Sequence, residues 1–281
     1  MAMADINSFV YDRAIRGAML DPNTKEVLWT LNQIREPNLS VTTENQQPVD
    51  AIDVPIMTIY RAKTLEFSGE NALWDLPLMA AQGGTKIVKA SDDTSVIVPI
   101  FDEITIGQDG ATATSVTLRH TPYTSDADGE ALQFIYLLSG DGSISKKFEV
   151  AEAAAAGKFA ISEATVTFND GDLKTGDKIL AIYDYEADGS TGGDAMVMTH
   201  DGVTFPTAGI FVLECLVRNP CDKATLYYAY FEMPSAQLSP DFDMTFAADM
   251  THPFTIQAFP DYCDPEKRLL RVIVPELTDA A

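Results

Sequence analysis

The feature that most constrains this chain is a succession of short β-patterned runs, cut by Gly, Asp and Pro turns along its whole length. VLWTL at 27–31, NLSVTT at 38–43, TSVIVPIFDEITI at 94–106, KILAIYDYEA at 178–187 and TLYYAYFEM at 225–233 are rich in β-branched and aromatic residues. DPNTK at 21–25, IGQDGAT at 106–112 and GDLKTGD at 171–177 carry the residues that close tight turns. About ten or more such strands with turns between them point to a sandwich or barrel. A parallel α/β fold would need helical crossovers, which the sequence does not offer.

One run reads as a helix. NALWDLPLMAAQ at 71–82 places Leu73, Leu76, Met79 and Ala80 on one face, with Ser68 or Asn71 as cap and Gly83-Gly84 as stop. Pro77 is expected to kink or split it. Trp74 is expected to anchor the helix on the sheet. The fold expected is therefore mainly β: a β-sandwich or barrel-like core with one short packed helix and a second β-rich subdomain. The Gly/Asp-rich joints place a core at 1–139, an inserted subdomain at 140–195, and strands returning to the core at 196–281.

PIMTIYRAKTLEF at 55–67 is unusual among the strands. Met57, Ile59, Arg61, Lys63, Leu65 and Phe67 share one face, which is apolar at both ends and charged in the middle. Such a strand can pass from a core to an interface. The polar stretch ENQQPVDAIDVP at 44–55 before it is expected to be a long loop.

The formal net charge is -23, from 42 acidic and 19 basic side chains, and both halves of the chain are acidic. Such a surface repels phosphate backbones and argues against a sequence-reading DNA binder. The same sign suits a surface that DNA slides past, and equally suits simple solubility. The cysteines Cys215, Cys221 and Cys263 form no C-x-x-C pair, which argues against a disulfide framework. No apolar stretch reaches the length of a transmembrane helix, and the start MAMADINSF lacks a signal pattern. Folding in the cytoplasm of the producing cell is the expectation.

No catalytic pattern emerges. His120, His200 and His252 have no accompanying metal or nucleophile motif, and each reads as a turn or surface residue. Carboxylate pairs such as Asp102-Glu103 and Asp184/Glu186 are as frequent as chance allows at this acidity. The acidic loops at 126–130 and 184–194 offer oxygen donors but lack a full calcium-loop pattern. No cofactor or metal is expected.

Three blocks together resemble the tail tube (major tail) proteins of tailed bacteriophages. They are IREPNLSVTTENQQPVDAIDVPIMTIYRAKTLEFSGENALWDLPLMAAQGGTK at 34–86, KKFEVAEAAAAGKFAISEATVTFNDGDLKTGDKILAIYDYEA at 146–187, and MTHPFTIQAFPDYCDPEKRLLRVIV at 250–274. The resemblance implies a virion structural subunit, not an enzyme. It implies hexameric rings assembled in the host cytoplasm with other tail proteins, stacked into a tube that passes DNA without binding it specifically. It also implies that the 44–55 loop, with Gln46, Gln47, Pro48 and Asp50, reaches a neighbouring subunit or ring. Arg61 and Lys63 are then candidates to meet acids on that neighbour. Another virion structural protein, such as a capsid decoration or connector component, is the alternative, with a carbohydrate-binding module behind it.

Overall fold

The computed structural model of the protein describes residues 8–124, 132–190, 193–220 and 222–275. In chain order the elements begin with Val10–Leu20 (β1), Val27–Leu31 (β2), Ile34–Gln46 (β3), Ile59–Asn71 (β4) and Leu76–Gln82 (α1). Val88–Lys89 (β5), Val96–Thr105 (β6), Ser115–Thr117 (β7), Phe134–Leu138 (β8), Ile144–Val150 (β9), Lys158–Ser162 (β10), Thr165–Phe168 (β11), Lys178–Ala187 (β12) and Met196–Val197 (β13) follow. Gly209–Asn219 (β14), Asp222–Leu238 (β15), His252–Ala258 (β16) and Arg271–Ile273 (β17) complete the set. The chain is mainly β with a single short helix among the described residues, and each large sheet is curled like a half-barrel.

The chain divides into two compact units: Met1–Ile87 with Met198–Ala281, and Val88–Val197. The first holds an eight-stranded sheet in the order β2-β1-β14-β15-β16-β4-β3, with β17 beside β15. Its core gathers Met19, Trp29, Leu65, Phe67, Phe211, Met233, Phe254 and their neighbours. Phe67 sits between Phe211 and Phe254, with ring centroids 5.6 and 5.8 Å away. Each fully buried aromatic contributes about 1.5–3 kcal/mol through burial. The curl brings β1 against β3 at Gly17 and Ile34. Gly17 has to be glycine here, because a Cβ would stand 2.8 Å from the Phe211 ring.

The helix starts later than expected. Ser68 and Asn71 belong to β4, where Asn71 pairs with Ile34 and His252. The cap is Asp75, whose carboxylate accepts the Leu78 amide at 2.9 Å. Pro77 falls in the first turn, where a missing N–H costs nothing, so it neither kinks nor splits the helix. Gly84 follows at φ +65°, and a side chain there would meet the Phe205 carbonyl. Leu78, not Trp74, joins the core; Trp74 is 52% exposed in the segment before the helix. The late start leaves Trp74 before the helix, so it does not anchor α1 on the sheet.

The second unit is a seven-stranded sheet in the order β6-β12-β8-β9-β10-β11-β7. Its own core includes Ile135, Phe148, Phe159, Val166, Phe168, Ile179 and Tyr183. The joint expected at 139/140 lies inside this sheet, in the β8–β9 hairpin, where the Ser139 amide donates to the Ser143 carbonyl. A Gly/Asp-rich hairpin turn and a Gly/Asp-rich domain joint look alike in sequence. β6 belongs with this unit because it pairs with β12 from Val96 to Thr105.

Candidate functional site

The first unit carries a long two-stranded arm. Val41 and Leu65 form a pair on the face that leads into the core, and Thr43 and Lys63 are the next pair outward on the same face. A bulge follows, and the ribbon continues through Asn45↔Tyr60 and Gln46↔Ile59. From Glu44 to Thr64 every residue except Pro48 is exposed. The apolar–charged–apolar face seen in the sequence has this origin: Leu65 and Phe67 are buried, while Met57 and Ile59 stand on the free arm.

Local bonds hold the arm as a ribbon. Thr42 and Thr64 share a hydroxyl contact of 2.5 Å, and Gln47 Nε2 donates to Thr58 Oγ1 at 3.1 Å. Arg61 donates to the Gln46 side chain across the two strands. Of the stretch expected to be a loop, 44–46 belong to β3 and 47–55 form the turn at the tip. Val49 bridges Pro55, and the Ile56 amide donates to the Pro48 carbonyl. At the apex the Asp50 carboxylate accepts the amides of Ile52 and Val54, both at 2.9 Å. Of the six residues singled out in the sequence, Gln46 and Arg61 meet each other, Gln47, Pro48 and Asp50 shape the tip, and Lys63 makes no ion pair among the described residues. The tip is apolar: Val49, Ile52, Val54, Ile56 and Met57 are all exposed, Ile52 at 78%.

The sheet face turned away from the core carries paired charges. Arg16 Nε lies 2.6 Å from Glu214 Oε2, and the Tyr230 hydroxyl donates to Glu214 Oε1 at 3.0 Å. Burial, then the hydrogen bond to Glu214 and the charge of that carboxylate, raises the Tyr230 phenol above its ordinary value. Arg218 pairs with Asp12 and Arg271 with Glu232. Tyr228 and Tyr230 stack on this face, while Ala229 and Phe231 turn to the core. Glu214 was visible as a lone acid within IFVLECLV, but its partner Arg16 is 198 positions away and only the strand register reveals it.

His252 is a correction. It is fully buried on β16, not a turn residue. Its Nε2 is 2.7 Å from Gln82 Oε1, and Nδ1 faces the Asp75 amide at 3.4 Å. Nδ1 therefore accepts and Nε2–H donates, which is the neutral ring. Burial lowers its pKa, with the Asp75 charge opposing. In the second unit His120 stacks on Tyr185 at 3.8 Å. Residues 126–130, one of the two acidic loops, lie outside the described residues. Among the described residues no group of three or more His, Cys, Asp or Glu is placed to hold a metal, and no helix is long and apolar enough to cross a membrane.

The features that stand out from the fold are thus surfaces for association: a free apolar arm and unpaired sheet edges. Among the described residues they are those of a β-rich chain with surfaces suited to contact with other chains. A profile of the YomU/Tube protein family matches residues 16–268. The chain belongs to that family, and it is a tail-tube structural protein, non-catalytic and oligomeric with other tail proteins. No curated protein matched the chain.

Proposed function

We propose that six copies of this chain close into a ring, that rings stack into a tube, and that the tube conducts DNA through an acidic bore. The observation that carries the reading is the β3–β4 arm. It extends roughly 25 Å past its last core pair, at about 3.3 Å per residue. Among the described residues its apolar tip is exposed along its length. An arm of this kind is suited to the axial contact that stacked rings need.

The terminal strands β2 and β3 of the sheet each keep one unpaired edge among the described residues. Joining edges across subunits removes an aggregation hazard and produces a heterologous interface that closes by rotation. Lys63 is the cation on the arm left to meet acids of a neighbour, since Arg61 is engaged by Gln46. A net charge of -23 keeps free subunits apart and keeps DNA from adhering to the bore. Assembly takes place in the host cytoplasm and ends in the virion tail.

Negative-stain electron microscopy of the purified protein across a concentration and salt series tests the reading. Hollow tubes or stacked six-fold rings are expected, more abundant as salt screens the repulsion. Isolated particles under every condition, or assembly that falls as salt rises, count against it.

A further inference from the structure

The sheet of the second unit ends in an open strand. β6 pairs with β12 from Val96 to Thr105 without a register shift, and no described strand pairs with its other side. Which backbone groups face that open side follows from β12. The Asp184 carbonyl accepts the Tyr123 amide at 2.7 Å, so it points away from β6, whereas the Asp177 carbonyl accepts the Ile106 amide. Alternate residues of β12 therefore bond to β6, and Asp184↔Pro99 and Ile182↔Phe101 are non-hydrogen-bonded pairs. The amides of Ile97, Phe101 and Glu103, and the carbonyls of these three and of Pro99, are turned to the open edge. Pro99 sits where the ladder to β12 needs no N–H. Arg119 and His120 reach this end of the sheet from the core side, at the buried Asp102 and Tyr183 side chains.

The same residues put their side chains on the outward face of the sheet. Phe101 is 67% exposed, and Ile97 and Ile182, which is opposite Phe101, are exposed as well. Acids frame this apolar strip. Glu186 stands opposite Ile97, Asp184 stands opposite Pro99, and Asp92 and Asp93 precede the strand. None of the four enters an ion pair among the described residues. Lys178, the base on this strand pair, is held by Glu103 at 2.7 Å.

We propose that β6 is a docking edge for an extended basic segment of another protein, which adds a strand to the second unit's sheet. The open ladder selects an extended partner, because only a strand matches donors and acceptors that recur at every second residue. Ile97 and Phe101 select apolar side chains opposite them, and Asp184 and Glu186 select Lys or Arg between those. A second copy is a poor match. Two β6 edges paired with each other bring both sets of unpaired acids to one seam, with no free base on either strand pair, in a chain of net charge -23. The site lies in the other unit from the β3–β4 arm, so it stands or falls separately from ring stacking.

Calorimetric titration of the full-length protein tests the site. The probe is a synthetic peptide of about nine residues alternating valine and lysine, with a valine–glutamate peptide beside it. Saturable binding of the lysine peptide alone is expected, weakening as salt rises. Phe101→Pro removes one outward N–H and leaves the β12 ladder intact; it is expected to weaken binding at least about tenfold with an unchanged thermal melt. Asp184→Lys/Glu186→Lys is expected to lose the lysine peptide and to take up the glutamate one, a reversal that a loss of folding cannot produce. Binding of neither peptide, equal binding of both, or binding of the lysine peptide that neither variant changes overturns the site. A disulfide dimer formed on oxidation by Phe101→Cys but not by Val203→Cys, each in a Cys221→Ser/Cys263→Ser background, would give the edge to a second copy and overturn the partner.

Discussion

Asp102 and Arg119 join the two ends of the second unit's sheet. Asp102 lies on β6, the first strand of the sheet, and Arg119 follows β7, the last. The buried carboxylate accepts the Arg119 amide through Oδ2 at 2.9 Å, while Oδ1 stands 3.0 Å from Arg119 Nε as an ion pair without hydrogen-bond alignment. The Tyr183 hydroxyl also donates to Oδ2, at 3.2 Å, and in turn accepts the His120 amide. Burial first, with Asp102 also acting, pushes the Tyr183 phenol up to about 12, so it remains a donor at any working pH.

Removing this acceptor leaves buried donors unpaired. Asp102→Ala is expected to destabilise the protein by about 2–4 kcal/mol, and Asp102→Asn, which keeps one acceptor oxygen, by about 1–2. Urea unfolding of both variants measures the difference. A loss below about 0.5 kcal/mol for the alanine variant would mean that this carboxylate does not hold the sheet closed.

Leu78, to which the sequence assigns no role, fills the place expected of Trp74. Leu78 is completely buried and Trp74 is half exposed. Leu78→Ala is expected to cost about 2–5 kcal/mol through lost burial and the cavity left behind. Trp74→Ala is expected to stay within about 1 kcal/mol. Denaturant melts of the two variants decide between the assignments, and a larger loss at Trp74 would restore the tryptophan as the anchor.

The strand character of the chain was legible because β-branched runs and Gly/Asp turns act locally. So was the passage of β4 from core to arm, since the side-chain period of two displays Lys63 and Arg61 between Leu65 and Ile59. The helix was legible in existence but not in onset. Pro77 reads as a breaker until Asp75 is recognised as the cap that puts it in the first turn. What stayed hidden depends on register between distant strands. Arg16 meets Glu214, and Gln82 meets His252, only because β1 pairs with β14 and β16 pairs with β4. The tip of the arm read as a polar loop because Gln46, Gln47 and Asp50 bond within it, and the exposed apolar residues between them gave no periodic signal.

His252 makes stability depend on pH in a defined window. Its folded pKa lies below the ordinary 6.5, chiefly through burial. The unfolded state therefore binds the proton more readily, and stability rises with pH. The contribution is complete above about 6.5 and is lost as pH falls from there toward the folded pKa. Protonation would also remove the acceptor that faces the Asp75 amide beside α1. Melting temperature is expected to fall between pH 7.5 and 5.5 in the native protein, and to fall less in His252→Gln. Equal slopes in the two proteins would assign the acid sensitivity to other groups.

Asp50 separates the geometry of the arm from its charge. Its carboxylate holds the amides of Ile52 and Val54 in the apex turn, where Asp53 adopts a left-handed φ of 62°. Both amides are at an exposed tip, so water replaces the lost bonds and global stability changes by no more than about 0.5 kcal/mol in Asp50→Ala. The apex itself loosens, and the side chains it presents lose their fixed direction. Asp50→Asn keeps an acceptor oxygen in the same place without the charge. If the arm acts through its shape, Asp50→Ala assembles poorly and Asp50→Asn assembles like the native protein in a sedimentation assay. If both variants fail alike, the charge of Asp50 is what the neighbour reads. If both assemble normally, the apex turn has no part in the contact.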